Sequence, residues 1–223
     1  MDDLIKEILS TKKQGPLYFI QVGAGAGDLD PRANFRDGFT ELIKKNCLPE
    51  SSRIILVEPN PFNLNKLKDC WNEFSNSKIF KLGIVPKSYS KKILRFFFTE
   101  LDKPHYQMAS FYPQHILKKY RNLKESDLKV INVYTLDLKT FLDQVTRGGK
   151  IALLALDVEG METEILLETD FSSINICFLS FERLHLGARE LEVMTHLSNC
   201  GFEFVGSGVD HNGYDVLFKK LHT

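Results

Sequence analysis

Residues 17–28 read LYFIQVGAGAGD, an apolar run that enters a cluster of glycines. The run from Leu17 to Val22 predicts a buried strand. The glycines that follow allow a tight turn and a close approach of the backbone to a ligand. Their spacing is G-x-G-x-G, so the G-x-G-x-x-G fingerprint of a dinucleotide-binding site is incomplete. We interpret this segment as the first strand and ligand-binding turn of an α/β sheet, with an ordinary strand-to-helix turn as the alternative.

Apolar runs alternate with segments of helical spacing along most of the chain. Such alternation predicts an α/β fold with a mostly parallel sheet, helices on both faces and right-handed crossovers. Only the turn-rich residues 206–213 separate the last two runs, so these predict an antiparallel hairpin at one edge. The predicted strands are Leu17–Val22, Arg53–Val57, Lys78–Ile84, Ile93–Phe98, Val130–Tyr134, Ile151–Leu156, Ile174–Phe181, Phe202–Val205 and Tyr214–Lys219. The predicted helices are Leu4–Leu9, segments around Phe39–Ile43 and Phe62–Leu67, Leu138–Val145, Met161–Leu167 and Leu191–Asn199.

The 223 residues, of which 43% are hydrophobic, suit one large α/β domain spanning residues 1–223. Residues 1–16 are expected to form an N-terminal helix that ends at Gly15-Pro16. The alternation is interrupted over residues 88–129, where a helical part is predicted at 105–123. We expect this insertion to shape the pocket of an acceptor substrate.

The charge and the cysteines argue against several classes of protein. The chain has 29 basic and 29 acidic residues, so it lacks the positive surplus that nucleic-acid binding requires. Its cysteines are scattered, which predicts neither a disulfide framework nor a structural zinc site; they are Cys47, Cys70, Cys177 and Cys200. The acidic N-terminus lacks the pattern of a signal peptide, and no apolar run reaches the ~18 residues of a membrane span. We therefore expect a cytoplasmic protein that binds no nucleic acid and does not span a membrane.

Acidic side chains follow two of the predicted strands. Glu58 closes the second strand, where a carboxylate can accept hydrogen bonds from both hydroxyls of a ribose. Asp157 and Glu159 follow the apolar run 151–156 and could position a substrate hydroxyl, balance a cationic ligand or hold a divalent cation. Glu159 could equally offset the dipole of the next helix. The carboxyl ends of parallel strands form the ligand cleft of such a sheet, so these carboxylates are expected to share one site.

A candidate general base follows the next strand. Glu182 and His185 lie three residues apart, and a histidine beside a carboxylate is suited to removing a proton from a hydroxyl. A solvated loop histidine is the alternative. His115, in the segment SFYPQH of the insertion, could belong to a lid over the cleft or could simply pack. Our assignment includes no metal ligand, with a cation between Asp157 and Glu159 as the alternative.

These segments, in this order, resemble the FkbM family of S-adenosylmethionine-dependent methyltransferases over roughly residues 17–219. The most specific likeness is the sequence DVEG at 157–160, followed by EIL at 164–166. The other matching segments are FIQVGA at 19–24, LVEPNP at 56–61, TLD at 135–137, FE at 181–182 with HL at 185–186, and SF at 110–111 with His115.

The resemblance implies a seven-stranded Rossmann-like fold and O-methylation of a hydroxyl on a sugar or natural product. It also implies where the cofactor binds, with the loop glycines at the methionine moiety, Glu58 at the ribose, and Gly83 and Ile84 at the adenine. The implied cofactor-binding residues are Gln21, Gly23, Ala24, Gly25, Gly27, Glu58, Pro59, Gly83, Ile84 and Asp157.

The combined prediction is methyl transfer from S-adenosylmethionine to a hydroxyl of a small molecule or glycan. The residues predicted around the acceptor are Asp157, Glu159, Glu182, His185 and, from the insertion, His115. Two alternatives stay open. A non-catalytic nucleoside-binding module is suggested by departures from the family pattern at Gly25-Ala26 and Ala155. An NAD-dependent oxidoreductase is the other, although the G-x-G-x-G spacing favours S-adenosylmethionine.

Overall fold

The computed structural model describes residues 15–28, 36–46, 48–89, 92–99, 109–210 and 213–221. The strands are β1 (Leu17–Val22), β2 (Arg53–Val57), β3 (Ser77–Phe80), β4 (Gly83–Val85), β5 (Ile93–Phe98), β6 (Ala109–Ser110), β7 (Lys129–Asp137), β8 (Lys150–Leu156), β9 (Ile176–Glu182), β10 (Phe202–Ser207) and β11 (Asp215–Lys220). The helices are α1 (Gly38–Lys45), α2 (Pro61–Cys70), α3 (Pro113–Lys119), α4 (Leu138–Thr146), α5 (Glu162–Glu168) and α6 (Glu190–Asn199). Three short 3-10 helices cover Glu125–Asp127, Phe171–Ser173 and Gly187–Arg189.

A seven-stranded sheet organises the chain in the order β10-β11-β9-β8-β1-β2-β3. Neighbouring strands from β9 to β3 run parallel, whereas β11 is antiparallel to both β9 and β10. The predicted α/β fold, with its mostly parallel sheet and antiparallel edge hairpin, is confirmed. In such a sheet the loops that follow β1, β2, β8 and β9 meet at one edge.

Alternate residues of the inner strands enter two separate cores, one on each face of the sheet. Every residue of β8 is buried, as expected for a central strand that is covered on both faces. Ile20 and Leu154 pack against α4, α5 and α6 on one face, whereas Phe19 and Leu153 pack against α1 and α2 on the other. The period of two along each strand therefore places helices on both faces, as predicted.

Local sequence signals start the helices that flank the cleft. Asp37 caps α1 by accepting a hydrogen bond from the backbone N–H of Thr40 at 2.8 Å. Asn60 caps α2 in the same manner and is followed by Pro61 at the first helical position. Asp137 caps α4 directly after β7. Among the described residues, no helix combines the length and the apolar character that crossing a bilayer requires.

The predicted strand Lys78–Ile84 is wrong as a single element. The backbone N–H of Glu58 donates to the carbonyl of Phe80 at 3.0 Å, and this is the last bond between the second strand and the third. The next N–H that could continue this ladder belongs to Asn60, and it donates instead to the carboxylate of Glu58 at 2.6 Å, so the chain leaves the main sheet after Phe80. Gly83–Val85 instead pairs in parallel with β7 and opens a second sheet of order β4-β7-β5-β6.

The insertion is less helical than predicted. Within 105–123, helix covers only Pro113–Lys119, Ala109–Ser110 is a strand, and residues 105–108 lie outside the described part of the chain. Ile93–Phe98 is a strand as predicted, and it pairs antiparallel with β7. The predicted helix Leu4–Leu9 also lies outside the described residues.

A buried hydroxyl ties the edge hairpin to the centre of the sheet. Ser180 of β9 is fully buried, and its Oγ accepts a hydrogen bond from the backbone N–H of Val209 at 3.0 Å. Gly208 lies so close that a Cβ there would be 2.4 Å from this oxygen. Asp210 follows Val209 in the chain, and the anchored hairpin places its side chain at the wall of the cleft.

Replacing Ser180 by Ala should therefore destabilise the protein. The substitution leaves the buried N–H of Val209 without its acceptor, so the free energy of unfolding should fall by about 1–3 kcal/mol in chemical denaturation. Ser173→Ala removes an exposed hydroxyl and serves as the control, with an expected change within about 0.5 kcal/mol. Equal stability of the two variants would contradict a structural role for the Ser180 hydroxyl.

Candidate functional site

A cavity of ≈ 370 Å³ lies at the carboxyl ends of β1, β2, β8 and β9. Its size is within the range of small-molecule sites, and its position is the one expected for an open α/β sheet. Residues predicted for cofactor and acceptor share its wall. The predicted residues on the wall are Gln21, Gly23, Ala24, Gly25, Gly27, Glu58, Pro59, Gly83, Ile84, Asp157, Glu159, Glu182 and His185. His115 lies beside this wall and contacts Glu159.

The floor of the cavity is a close meeting of three strand ends. Gly23 has φ +82°, and a Cβ at this position would be 1.6 Å from the carbonyl oxygen of Asp157. The backbone N–H groups of Gly23 and Ala24 both donate to the carbonyl of Val57, at 2.9 and 3.0 Å. The N–H of Asp157 donates to Val22 at 2.9 Å. Only glycine fits at position 23, because the backbone turns there and has no room for a side chain.

The carboxylate of Glu58 binds the backbone of the glycine loop. One carboxylate oxygen accepts a hydrogen bond from the N–H of Gly25 at 2.7 Å, and the other accepts from the N–H of Asn60 at 2.6 Å. Burial raises the pKa of Glu58 to about 7, although both backbone bonds favour the ionised form. Each oxygen retains a further lone pair that can accept a hydrogen bond from a ligand.

A second buried carboxylate, Asp37, borders the cavity and was not predicted from sequence. Its side chain accepts hydrogen bonds from Gln21 Nε2 at 2.7 Å and from the backbone N–H and the hydroxyl of Thr40. Burial, and then the nearby charge of Asp210, raise the pKa of Asp37 to about 7. The Oε1 atom of Gln21 is buried and has no partner among the described residues.

Asp210 also lines the cavity and was likewise missed. Its Oδ1 accepts a hydrogen bond from the N–H of Gly38 at 2.6 Å, and burial followed by the charge of Asp215 raises its pKa to about 6. The sequence signals at these two positions are those of ordinary structure. Asp37 precedes a helix and Asp210 lies in a turn-rich hairpin, and acidic residues are common at both.

Asp157 enters the cavity with one oxygen unsatisfied. Its Oδ1 is buried and accepts no hydrogen bond within the described ranges. Burial, and then the charge of Glu159, raise the pKa of Asp157 well above its usual value. The loop that carries Asp157 is fixed by Glu162, whose carboxylate accepts from the N–H groups of Val158 and Gly160 at 2.8 and 2.9 Å. A buried acceptor on a fixed loop is suited to a ligand that donates a hydrogen bond or carries positive charge.

Four side chains converge at the opposite end of the cavity: His115, Glu159, Glu182 and His185, which we call the His–Glu cluster. His115 Nε2 is 2.9 Å from Glu159 Oε2, and His185 Nε2 is 3.7 Å from that same oxygen and 3.0 Å from Glu182 Oε2. The hydrogen bond that His185 donates to Glu182 raises the pKa of His185 despite desolvation. Burial of Glu159 is outweighed by His115 and Lys119, so its pKa is lowered. Glu182 and His185 thus lie together on the wall of one cavity.

The second sheet and the insertion supply the remaining wall. Phe96, Ala109, Phe111, Lys119 and Tyr120 line the cavity, and of these only Phe111 belongs to a motif that the sequence analysis singled out, the segment SFYPQH. The ring of Phe111 packs against Gly83, where a Cβ would be 2.3 Å from the ring. Such aromatic positions carry no distinctive sequence signal, because aromatic residues are equally common in a core.

Comparison with known families gives one match along most of the chain. Residues 21–204 match the family model described as "Methyltransferase FkbM domain". No protein of curated function matches the sequence significantly.

Several solved methyltransferase structures are also similar to this one. Precorrin-6y C5,15-methyltransferase from Geobacter metallireducens is 12% identical, with 99% of this chain and 87% of that chain covered and a TM-score of 0.46. An rRNA methylase from Streptococcus thermophilus is 11% identical, with 99% and 93% covered and a TM-score of 0.41. Aeropyrum pernix fibrillarin with natively bound S-adenosyl-L-methionine is 10% identical, with 92% and 66% covered and a TM-score of 0.42.

The raised pKa of Asp37 predicts a pH-dependent stability. Between about pH 4 and pH 7 the unfolded chain ionises this carboxyl while the folded protein keeps it protonated, so the wild type should lose stability as the pH rises. Asp37→Asn removes this loss. The stability of the wild type relative to the variant should therefore fall by about 1–4 kcal/mol between pH 4 and pH 8 in denaturant titrations.

The side-chain amide of asparagine can be accommodated at position 37. Its oxygen can still cap Thr40, and Gln21 can rotate its side-chain amide so that the unpartnered Oε1 accepts from the new Nδ2. A stability difference between wild type and Asp37→Asn that stays constant over this pH range would contradict the raised pKa.

Proposed function

The chain belongs to the FkbM methyltransferase family, and from this premise we propose that it transfers a methyl group from S-adenosylmethionine to a hydroxyl of a sugar or another small molecule. S-adenosylmethionine is the cofactor, and it supplies a methyl group on a cationic sulfur that needs no further activation. The observation that carries the O-methylation proposal is the His–Glu cluster. It brings proton-accepting side chains to the same cavity as the glycine loop.

The residues on the floor of the cavity fit this cofactor. The glycines of the first loop leave backbone exposed where a side chain would obstruct the ligand. Glu58 has two oxygens with spare lone pairs at the end of β2 and would accept hydrogen bonds from the two ribose hydroxyls. Gly83 and Ile84 would border the adenine on the side of the second sheet.

The acidic wall suits the positive charges of the same cofactor. Asp37, Asp157 and Asp210 line one cavity, and burial together with repulsion from neighbouring carboxylates raises the pKa of each. A cationic ligand relieves both penalties, because it offers an opposite charge at short range and N–H donors to unpaired oxygens. We place the ammonium group of the methionine moiety beside these carboxylates, where the unsatisfied oxygen of Asp157 would accept a hydrogen bond.

The His–Glu cluster would orient the acceptor hydroxyl and take its proton. Positioning contributes most of the catalysis, because the methyl donor is already reactive. Lys119 and the aromatic side chains Phe96, Phe111 and Tyr120 would shape the acceptor side of the pocket. Residues 88–129 would then determine which hydroxyl is presented.

Binding of S-adenosylmethionine should weaken below about pH 7. The pKa of Glu58 is about 7 in the free protein, and hydrogen bonds from a ribose would favour its ionised form. Binding therefore releases a proton at lower pH, so the affinity measured by calorimetry should fall towards tenfold per pH unit below 7. In the Glu58→Gln variant this fall in affinity below pH 7 should be absent. At pH 8 the variant should bind the cofactor about 10- to 100-fold more weakly than the wild type.

The comparison with the variant separates Glu58 from the titration of the cofactor itself, which both proteins experience equally. Glu203→Gln changes an exposed carboxylate on the edge strand β10 and serves as the control, with wild-type affinity at each pH. A Glu58→Gln variant that binds as tightly as the wild type, with the same pH profile, would rule out the ribose contact.

Methyl transfer should appear on oxygen and should depend on Glu182. Labelled S-adenosylmethionine is incubated with sugars, glycans and hydroxylated natural products, with RNA and a protein mixture as competing acceptors. Glu182→Gln should reduce turnover of the accepted compound by about 10²- to 10⁴-fold, the range for loss of a general base, with little change in cofactor affinity. Glu203→Gln should retain wild-type turnover.

Label recovered only in RNA or protein would contradict a small-molecule acceptor. Methyl groups attached to nitrogen or carbon of the accepted compound, identified by mass spectrometry and NMR, would contradict O-methylation. Cofactor binding without transfer to any acceptor would favour the non-catalytic binding module.

A further inference from the structure

We propose that His115, Glu159 and His185 form a binding site for a divalent transition-metal ion of the Zn²⁺ class, at the acceptor end of the cavity. One ligand atom from each of these three residues lies within 4.8 Å of the others. Two imidazoles and one carboxylate are a ligand set that zinc and related ions favour. The geometry of the cluster stands by itself, and only the role given to the ion depends on the proposed function.

The spacing of the ligand atoms suits a single ion. With bonds of about 2.0–2.1 Å, two neighbouring ligands of a tetrahedral ion are about 3.3 Å apart. The distances from Glu159 Oε2 to the two histidine Nε2 atoms, 2.9 and 3.7 Å, bracket that value. The two imidazole rings meet edge to face with centroids 4.6 Å apart. The Nε2 atom of each ring lies within 3.7 Å of the same carboxylate oxygen.

Three distant parts of the chain hold these ligands in place. His115 is on α3 of the insertion, Glu159 is in the loop after β8, and His185 follows β9. Glu159 has φ +55°, a left-handed backbone conformation that is unfavourable for residues other than glycine. Its carbonyl accepts a hydrogen bond from Ser110 Oγ at 2.8 Å, which fixes the strained residue against the second sheet. The carboxylate is thereby directed toward both histidines.

The site would be open on the cavity side. Glu159 and His185 line the cavity, and the three ligand side chains are only 19–25% exposed. Three protein ligands with one free position are typical of catalytic rather than structural zinc sites. An acceptor hydroxyl bound at the free position would lose its proton more readily. Glu182 Oε2, 3.0 Å from His185 Nε2, is the adjacent carboxylate that would receive that proton.

The decisive experiment titrates the full-length, metal-free protein with Co²⁺ in the absence of cofactor and acceptor. We expect one ion per chain and visible d–d absorption of a nitrogen- and oxygen-coordinated ion, without the near-ultraviolet charge-transfer band of a thiolate ligand. Zn²⁺ should displace the Co²⁺, as calorimetry can quantify. His115→Ala and His185→Ala should each weaken binding more than 100-fold, beyond the effect of losing a supporting residue.

His196→Ala is the matched control. His196 lies on α6, where its Nε2 is 3.1 Å from the carbonyl of Thr169, and its loss should leave ion binding unchanged. Circular dichroism and thermal melting establish that each variant is folded. A wild-type protein that binds no stoichiometric Co²⁺, a thiolate band, or tight binding retained in both cluster variants would overturn the metal site. Neither cofactor nor acceptor is present in this titration. Its result therefore does not depend on whether the proposed methyl transfer is correct.

Discussion

The meeting of three strand ends at Gly23 is the constraint on which the cavity depends. β1, β2 and β8 are joined there through the carbonyls of Val22 and Val57. The space above the Asp157 carbonyl admits no side chain at position 23. This close packing places the glycine loop against Glu58 and places Asp157 at the floor of the same cavity. One backbone contact thus determines where both carboxylates lie, and helices pack against both faces of the sheet around it.

Buried acidity is the second organising feature of the site. Five carboxyl groups near the floor have raised pKa values, chiefly because burial penalises their charge: Asp37, Glu58, Asp157, Glu162 and Asp210. A protein tolerates such a cost where the groups serve a ligand that compensates it. In the function proposed above, the cationic S-adenosylmethionine would supply that compensation. At the other end of the cavity, histidines balance the carboxylates, so the two ends differ in electrostatic character.

Sequence alone predicts the main sheet well, because β1, β2, β8 and β9 are continuous apolar runs that end in glycine or acidic residues. It fails at Phe80, where the strand ends because the next N–H of the neighbouring strand, that of Asn60, bonds to the Glu58 side chain. Pairing between strands is not visible in local periodicity. Asp37 and Asp210 are missed since helix caps and turns explain acidic residues equally well. His115 lies 44 residues from Glu159 in sequence, and only the packing of the insertion brings them together.

The second sheet has a topological consequence for how this protein can diverge. The strands that the structure describes between Gly83 and Asp137 form the second sheet, an excursion from the main fold, and parallel pairing of Gly83–Val85 with Thr135–Asp137 closes its neck. A closed neck presents the same two ends to the main sheet whatever the excursion contains. In the function proposed above, its interior, and acceptor preference with it, could change in evolution while the neck and the floor of the cavity persist. Chimeras that exchange this cassette at the neck are the natural units for redirecting specificity.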